Sequence, residues 1–396
     1  MPQGARSGPL SDLVVLDLTR ALAGPHAGMM LADLGARVIK VESPGSGDET
    51  RSWGPPFVPG SDGEDVATYF LSCNRNKESV ALDLKSDEGR EVLTALVRRC
   101  DVLLENFRPG VLDRLGFTAE HLLGLNPRLV LLSISGFGHD GPEGGRPGYD
   151  QIAQGEAGLM SLTGSGPEDP QRVGVPIGDL LAGMYGAYGV LAALHERERT
   201  GAGQHVRTSL LASFVGVHAF QGTRWTVAHE VPRAQGNHHP SIAPYGLFRC
   251  RDGAVQIACG NESLWQRLCA EFGLDPAAEG LASNPERVAH REQLVSLLEE
   301  TFADVDRDAL LARLDGAGVP SGRVRDLQEV YEWDQTRSQG LVVDVEHPTL
   351  GPVELPGPPL RFFTADGTET TPTDHQSPPL LDQHGAAVRA WLEERG

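Results

Sequence analysis

The sequence predicts an α/β protein in which a large domain holds an open parallel sheet and a smaller α/β domain follows it. Apolar strand-like runs alternate with amphipathic helical runs through the first part of the chain, which is the order that βαβ units produce. The composition changes near residue 229, where a hairpin pattern and several helical runs begin. We therefore predict a large domain over 1–228, a small domain over 229–335 and a return to the large domain over 336–396.

The first predicted βαβ unit covers residues 13–42. The run LVVLDL from Leu13 indicates a strand, Gly24 and Pro25 mark the start of a helix through HAGMMLADL, and Gly35 ends that helix. The run RVIKVE then indicates a second strand. A strand, a helix and a strand in this order predict two parallel strands joined by a crossover helix.

The same alternation continues to Ser135. The runs SVALDL, DVLLEN and RLVLLSIS indicate strands, and SDEGREVLTALVRRC indicates a helix with Ser86 as its N-cap. Short helices are expected after the run DVLLEN, through Gly124. Strands and helices of this length favour a parallel sheet that is covered on both faces. Residues 141–176 are rich in Gly and Pro, and we expect an irregular functional loop there.

A long helix is predicted over 179–198, and another over 206–227. Gly183, Gly186 and Gly189 lie three apart on one face of the first helix, and small residues let another backbone approach closely. We expect this face at a subunit contact. The later patterns predict a hairpin around Asp252-Gly253, helices over 262–272, 286–302 and 307–316, strands over 341–346 and 352–355, and a C-terminal helix.

With 54 acidic against 34 basic residues, the formal net charge of the chain is -20. Such a charge repels phosphate backbones and anionic membranes, so we expect no nucleic-acid partner and no membrane partner. No apolar run reaches the roughly 20 residues of a membrane span, and the N-terminus lacks the apolar stretch of a signal peptide. We therefore expect a cytoplasmic protein. Any anionic ligand must be held by local cations.

The cysteine and histidine patterns predict no metal site. The five cysteines are scattered without a C-x-x-C pair, and we interpret them as core thiols. His238 and His239 form the densest histidine pair. Neighbouring residues on an extended chain point in opposite directions and do not easily share an ion. We therefore expect this pair to make contacts from a loop.

Two enzyme motifs are disfavoured by their surroundings. Gly136, Gly138 and Gly141 form a G-x-G-x-x-G after a strand, but Pro142 and further Gly and Pro residues follow. No helix can start there to face a pyrophosphate, so this motif does not support dinucleotide binding. A nicotinamide-dependent oxidoreductase remains an alternative on the fold pattern alone. A serine hydrolase is disfavoured because no G-x-S-x-G elbow occurs.

Asp179 is the most informative acidic residue. It follows a Gly/Pro loop and Gly178, at the first turn of the long apolar helix. Asp is a preferred N-cap, so capping is one interpretation. The other interpretation is a nucleophile that the positive end of the helix keeps ionised. Asp150 precedes a second apolar segment and, taken alone, also fits a cap.

Seven ordered blocks resemble the class III coenzyme A transferases, a CaiB/BaiF-type family that also contains α-methylacyl-CoA racemases. The blocks are LDLTRALAGPHAGMMLADLGARVIKVESPGSGDETR, CNRNKESVALDLKSDEGR, DVLLENFRPGVLDRLGF, NPRLVLLSISGFG, RPGYDQIAQGEAGLMSLTG, GDLLAGMYGAYGVLAAL and RTGAGQHV. The resemblance runs from about Leu10 to the C-terminal helix. It implies a Rossmann-like open-sheet domain, a smaller α/β domain and two subunits interlocked as a homodimer.

The resemblance also implies the site residues. Asp179 matches the aspartate that attacks the acyl-CoA thioester in transferases of the family. The residues expected to contact coenzyme A are Leu22, Ala23, Leu82, Lys85, Asn106, Phe107, Arg108 and Arg114. Lys85, Arg108 and Arg114 supply the local cations that an acidic chain requires for the CoA phosphates. CoA esters are then substrates, and no permanently bound cofactor is expected.

We predict that CoA moves from an acyl-CoA to a free carboxylic acid through a covalent aspartyl intermediate. The racemase branch has a histidine where this chain has Tyr149, and a tyrosine with a pKa of about 10 is a poor base at neutral pH. A racemase or epimerase and a non-catalytic CoA-ester binding protein remain alternatives. Gly138 and the His238-His239 loop are the expected places for oxyanion donors. The loop GNHHPSIAPYG resembles that of relatives acting on succinyl-CoA or other dicarboxylic acyl-CoAs.

Overall fold

The computed structural model describes residues 7–394 and divides the chain into two compact units. The first unit contains the described residues up to 159, residues 173–228 and those from 334 onward; the second contains 160–172 and 229–333. The sequence predicts the segment 160–172 in the large domain. In the structure this segment joins the second unit, where Ser161 accepts the backbone N–H of Ala234 at 3.0 Å.

Strands and helices alternate through the first part of the chain, as the sequence predicts. The strands are β1 (Val14–Asp17), β2 (Arg37–Glu42), β3 (Phe57–Pro59), β4 (Asp65–Ala67), β5 (Lys77–Ala81), β6 (Val102–Glu105), β7 (Val130–Ser135), β8 (His205–Ser209), β9 (Tyr245–Cys250), β10 (Gly253–Ala258), β11 (Ser321–Arg323), β12 (Val342–His347) and β13 (Gly351–Pro356). The helices are α1 (Ala23–Asp33), α2 (Thr68–Leu71), α3 (Asp87–Val97), α4 (Val111–Arg114), α5 (Ala119–Leu125), α6 (Asp150–Glu156), α7 (Ile177–Thr200), α8 (Leu210–Gly216), α9 (Ala219–Thr226), α10 (Glu262–Phe272), α11 (Asn284–Ala289), α12 (Arg291–Phe302), α13 (Arg307–Gly316), α14 (Leu327–Tyr331), α15 (Asp334–Ser338) and α16 (Gly385–Glu393).

Six strands of the first unit form a parallel sheet in the order β5-β2-β1-β6-β7-β8. Leu16 at its centre lies between Ile39 of β2 and Leu103 of β6. Every residue of β6 and β7 is buried, which is typical of a parallel sheet covered on both faces. The predicted α/β class with an open parallel sheet is confirmed.

Helices cover both faces of this sheet. On one face, α1 and α7 pack on Val15 and Leu132. On the other face, α3, α5 and α16 pack on Leu16 and Ile39. Because Val15 and Leu16 are neighbours on one strand and point to opposite sides, each face has its own hydrophobic core.

The glycines of α7 face their own unit. A Cβ atom added at Gly183 would lie 2.6 Å from the carbonyl oxygen of Ala23, and one at Gly186 would lie 2.8 Å from Leu132. These glycines let α7 approach α1 and the sheet, so the predicted subunit contact on this face is wrong. By length and mean hydropathy alone α7 could cross a membrane, but it packs against α1, β7, β8 and α8 as a core helix does.

Three segments differ from the sequence-based prediction. Residues 206–227 are not one helix. They begin in the strand β8, which pairs with β7, and continue through the two short helices α8 and α9. A short apolar run fits a strand or a helix by its pattern, and the pairing of Val206 with Leu132 decides for a strand. The predicted irregular region 141–176 contains α6, and the predicted helix 286–302 is broken at His290.

The second unit is built on the antiparallel sheet β11-β10-β9. Strands β9 and β10 form the predicted hairpin, in which Cys250 pairs with Gly253. Helices α10, α12 and α13 pack with this sheet around the buried side chains of Phe248, Trp265 and Phe302.

Candidate active site

The carboxyl ends of β1 and β6 lie where the sheet order reverses, because β2 is on one side of β1 and β6 on the other. Open parallel sheets bind ligands in the crevice at such a point. The segments that follow these strands, residues 20–23 and 106–109, line a cavity of about 420 Å³. Asn106 joins the two segments: its side chain donates to the Arg20 carbonyl at 2.7 Å and accepts the Arg20 N–H at 2.8 Å.

This cavity brings together most of the predicted site residues, and we call it the acyl cavity after the group that the family resemblance leads us to expect there. Those that line it are Leu22, Ala23, Asn106, Phe107, Arg108, Tyr149, Asp150 and Asp179. They come from the ends of β1 and β6 and from the starts of α6 and α7. All of them belong to the first unit.

Asp150 caps the helix that carries Asp179. Its Oδ1 atom accepts the backbone N–H of Gly178 at 2.7 Å and that of Asp179 at 3.3 Å. The buried side chain of Gln154 holds Asp150, since it donates to Oδ2 at 2.6 Å and accepts the Val173 N–H at 2.9 Å. The start of α7 leaves these two N–H groups without partners inside the helix, and Asp150, from α6, accepts both of them.

Gly178 makes room for this cap. A Cβ atom at residue 178 would lie 3.0 Å from Oδ1 of Asp150 and 2.5 Å from the ring of Phe214. A larger side chain would push the helix start away from Asp150. The Gly-Asp pair is therefore a packing requirement as well as a means of access to Asp179.

Asp179 is the third residue of α7, and its carboxylate makes no hydrogen bond to any group within residues 7–394. The capping interpretation of Asp179 is wrong: Pro176 precedes the first helical residue, and Asp150 supplies the cap. A carboxylate that lines a cavity and satisfies no protein donor is available for reaction with a ligand.

Burial and the nearby Asp150 carboxylate raise the pKa of Asp179 to about 7. The expectation that the helix end keeps Asp179 ionised is wrong, because the N–H groups that would do so are donated to Asp150. Both protonation states of Asp179 are therefore populated near neutral pH. The ionised form is poorly hydrated, which favours its reaction with an electrophilic carbon.

A second cavity of about 650 Å³ holds the rest of the predicted coenzyme A set. Its lining includes Leu82, Lys85, Phe107 and Arg114. We call it the phosphate groove after the CoA phosphates that the resemblance leads us to expect near these cations. Arg20 and Phe107 line both cavities, and the Arg20 guanidinium lies 5.2 Å from the centre of the Phe107 ring. The two cavities therefore share a wall that is formed by these two residues.

The predicted cations lack protein partners. Within residues 7–394, no carboxylate forms an ion pair with the side chain of Lys85, Arg108 or Arg114. Arg146 in the acyl cavity is different, because Glu143 and Glu156 both bind its guanidinium. Three unpaired cations along two cavities of a chain with net charge -20 indicate a site for a ligand with several negative charges.

Comparison with known protein families matches residues 10–385 to CoA-transferase family III. The chain belongs to this family. It is similar to the succinyl-CoA:glutarate CoA-transferase of Mus musculus, with 39% identity over 378 residues that cover 95% of this chain and 84% of the mouse protein. The acetyl-CoA:oxalate CoA-transferase of Acetobacter aceti is 38% identical over 385 residues, covering 96% of this chain and 95% of that protein.

A solved structure agrees with this assignment. The crystal structure of a CAIB/BAIF family protein from Brucella suis has a TM-score of 0.86 and 42% identity to this chain, and covers 98% of this chain and 100% of that one. The molecule is an enzyme of the CoA-transferase class, and its substrates are CoA esters. The predicted family and enzyme class are confirmed, and the nicotinamide-dependent oxidoreductase is wrong.

Three predicted residues of this family III transferase lie outside both cavities. The backbone N–H of Gly138 donates to Ser135 Oγ at 3.1 Å, so it is already used inside the protein. His238 and His239 belong to the second unit, where His239 stacks on Tyr245 and accepts the Ser241 N–H. Their role as oxyanion donors stays a prediction. In the described part of the chain, no group of three or more His, Cys, Asp or Glu residues is placed to hold a metal.

Sequence reasoning missed two aromatic residues of the transferase site. Trp53 and Tyr69 line the acyl cavity, and their rings meet edge to face at 5.0 Å. Both lie in the segment between β2 and β5, where the sequence shows no regular strand or helix pattern. Only the fold brings this segment next to Asp179.

Proposed function

We propose that this transferase moves CoA from a dicarboxylic acyl-CoA, such as succinyl-CoA, to a free dicarboxylic acid through a covalent intermediate at Asp179. The observation that carries the proposal is the state of Asp179. Its carboxylate lines the acyl cavity without a hydrogen-bond partner. Asp150 caps the start of α7, so Asp179 is not needed as the cap of its own helix. A nucleophile requires this freedom, and a structural acid does not.

The chemistry follows from a carboxylate facing a thioester. An Asp179 oxygen attacks the acyl carbon, the C–S bond breaks, and CoA leaves as a thiolate while an aspartyl anhydride remains. The thiolate then attacks the Asp179 carbonyl, which releases the first acid and leaves an aspartyl-CoA thioester. The incoming acid repeats these steps in reverse order. Each bond that breaks is replaced by a similar one, so the exchange needs no ATP and no permanently bound cofactor.

The two cavities provide places for the two ends of an acyl-CoA. Lys85 and Arg114 line the phosphate groove, where their unpaired charges suit the phosphates of CoA. The shared wall of Arg20 and Phe107 lies between that groove and Asp179. An acyl-CoA with its phosphates in the groove would extend past this wall and present its thioester in the acyl cavity.

The proposed substrates rest on the names of the relatives. The Mus musculus relative is named for succinyl-CoA and glutarate, and the Acetobacter aceti relative for acetyl-CoA and oxalate. Succinate, glutarate and oxalate each carry two carboxylates. We take a dicarboxylic acid as the acceptor for this chain on that basis.

We also propose that the enzyme works as a homodimer. Large apolar side chains on α7 and α9 are exposed in the single chain, on surfaces that do not carry the glycines of α7. They are Met184, Tyr188, Phe220 and Trp225. A second copy of the chain would remove this surface from water, which contributes roughly 25 cal/mol per Å² of apolar area. The interlocked arrangement and the cytoplasmic location stay predictions.

One experiment tests the proposed reaction against its alternatives. The enzyme is incubated with succinyl-CoA and a panel of acids that includes glutarate, mesaconate, oxalate and acetate, and new CoA esters are separated by mass. New dicarboxylic CoA esters support the proposal. Deuterium incorporation at the α-carbon without new esters would identify a racemase, and tight CoA binding without turnover would identify a binding protein.

The intermediate has its own test. After incubation with acyl-CoA, hydroxylamine or borohydride traps an acylated carboxyl, and peptide mass spectrometry locates it. The modification should lie on the peptide that contains Gly178, Asp179 and Leu180. A trapped group on any other residue would overturn the role of Asp179 while leaving the family assignment in place.

A further inference from the structure

Tyr69 is held rigidly beside the reacting group. Its ring packs in an apolar cluster with Leu22, Met29 and Leu180, and Leu180 follows Asp179 in the chain. Trp53 meets the Tyr69 ring edge to face, with centroids 5.0 Å apart and planes 79° apart. These contacts restrict the movement of the ring and therefore the positions that its hydroxyl can take.

The Tyr69 hydroxyl has no acceptor of its own. Tyr69 lines the acyl cavity together with Asp179, yet within residues 7–394 its hydroxyl makes no hydrogen bond. The Asp179 carboxylate likewise receives no hydrogen bond from it. Burial and the charge of Asp179 raise the pKa of Tyr69 to about 12, so the hydroxyl keeps its proton at any working pH. It is a neutral donor on a residue that lines a cavity which a ligand would fill.

We propose that Tyr69 is a further catalytic residue, whose hydroxyl donates a hydrogen bond to the oxyanion formed during attack by Asp179. This inference rests on the proposed function. When an Asp179 oxygen bonds to the thioester carbon, one electron pair of the C=O bond moves to the carbonyl oxygen. The oxyanion accepts the Tyr69 hydrogen bond without proton transfer. The pair then returns to re-form C=O as the C–S bond breaks and CoA thiolate leaves.

Three backbone N–H groups that could serve as donors are already used inside the protein. The N–H of Gly138, one of the expected donors, is donated to Ser135, and the N–H groups of Gly178 and Asp179 are donated to Asp150. An oxyanion site needs donors that are already oriented and have no competing acceptor. The Tyr69 hydroxyl meets both conditions.

Tyr69→Phe tests the proposal because it removes one oxygen and keeps the ring contact with Trp53 and the packing on the apolar cluster of Leu22 and Met29. Loss of one oxyanion donor costs on the order of 10²-fold in rate, and we expect this loss in kcat and in the rate of adduct formation at Asp179. The dissociation constant of CoA, measured by calorimetry, should change less than about threefold, because the donor acts on the transition state. Tyr331→Phe, in the second unit, is the matched control and should react like the parent.

The outcomes separate this inference from the proposed function. If the parent enzyme forms no adduct on Asp179, the proposed function fails. If the parent forms the adduct and Tyr69→Phe forms it equally fast, only the role of Tyr69 is overturned. A Tyr69→Phe enzyme with an unchanged maximal rate but a displaced acid limb in its pH profile would also overturn it, because Tyr69 would then act on the ionisation of Asp179.

Discussion

The Oδ1 atom of Asp150 accepts the backbone N–H of Asp179 at 3.3 Å, so one acid of the cavity caps the helix that presents the other. The two carboxylates thereby have different tasks. Asp150 compensates the positive end of α7, and its charge also raises the pKa of Asp179. An acid that capped its own helix would be stabilised as the carboxylate and would react more weakly. The division leaves Asp179 without hydrogen bonds and suited to attack.

Asp179→Asn should abolish CoA transfer while preserving the fold. An amide is a far weaker nucleophile than a carboxylate, so we expect turnover to fall by on the order of 10³-fold or more. The unfolding free energy at pH 8 should equal that of the parent or exceed it by up to about 2 kcal/mol, because a partly buried charge with no hydrogen bond is removed. Denaturant unfolding and a CoA-transfer assay give both values. Parent-like turnover would exclude Asp179 as the nucleophile.

Arg114→Ala should weaken CoA-ester binding by roughly 1–3 kcal/mol, the range for losing a charge-assisted contact. Arg114 lines the phosphate groove and has no carboxylate partner in the described part of the chain, so no ion pair is lost with it. Calorimetry measures the change. Arg337→Ala is the control, because Arg337 pairs with Glu354 on the β12-β13 hairpin and lines neither cavity. Equal affinity in Arg114→Ala, Arg108→Ala and Lys85→Ala would place CoA elsewhere.

Gly183→Ala should destabilise the first unit by about 1–3 kcal/mol, since the added methyl would lie 2.6 Å from the Ala23 carbonyl oxygen and force α1 and α7 apart. Gly124→Ala is the matched control. Gly124 lies in α5 with no atom within 4 Å of an added Cβ, so the same substitution should stabilise by about 0.5–1 kcal/mol. Urea unfolding of the two variants compares them. If the two substitutions change the unfolding free energy by the same amount, close packing at Gly183 does not contribute to stability.

Local patterns predicted the parallel sheet because each strand-helix-strand unit has its own start and stop signals. Ser86 does cap α3, with its hydroxyl accepting the Gly89 N–H at 3.0 Å. The strand β8 was missed because its apolar residues fit either period, and only pairing with β7 distinguishes them. The glycines of α7 were recognised as a close-packing face, but the sequence does not say that α1 and the sheet lie against it.

The candidate site was predictable where the family resemblance added to what residue type and position left open. From its position alone Asp179 fitted a cap or a nucleophile, and the resemblance pointed to Asp179 and to the three cations, which the structure places along the two cavities. The capping of α7 by Asp150 was not predictable, because it joins residues 28 positions apart through the packing of α6 on α7. Tyr69 was missed for the same reason, since no local pattern marks an aromatic residue that the fold places in a cavity.

The pH dependence of kcat/KM should have an acid limb near pH 7. The proposed nucleophile is ionised Asp179, whose pKa burial and Asp150 raise to about 7. As pH falls below this value the ionised fraction drops about tenfold per unit, and the rate should drop with it. A family member with an ordinary aspartate would lose activity only near pH 4. A flat profile between pH 5 and 8 would contradict the raised pKa.

Asp150→Asn should move this acid limb to lower pH, because it removes the negative charge that opposes ionisation of Asp179. Burial remains, so the limb should stop short of the ordinary aspartate value. The side-chain oxygen of the new asparagine can still accept the N–H groups of Gly178 and Asp179. Its NH2 group, however, would face the NH2 group of Gln154, which in the parent donates to Oδ2 of Asp150, and two donors would oppose each other. We therefore expect the maximal rate and stability to fall as well, the latter by about 1–3 kcal/mol. The test compares the pH dependence of kcat/KM in the parent and in Asp150→Asn between pH 5 and 8. If the acid limb of Asp150→Asn stays at the parent position, Asp150 does not set the pKa of Asp179.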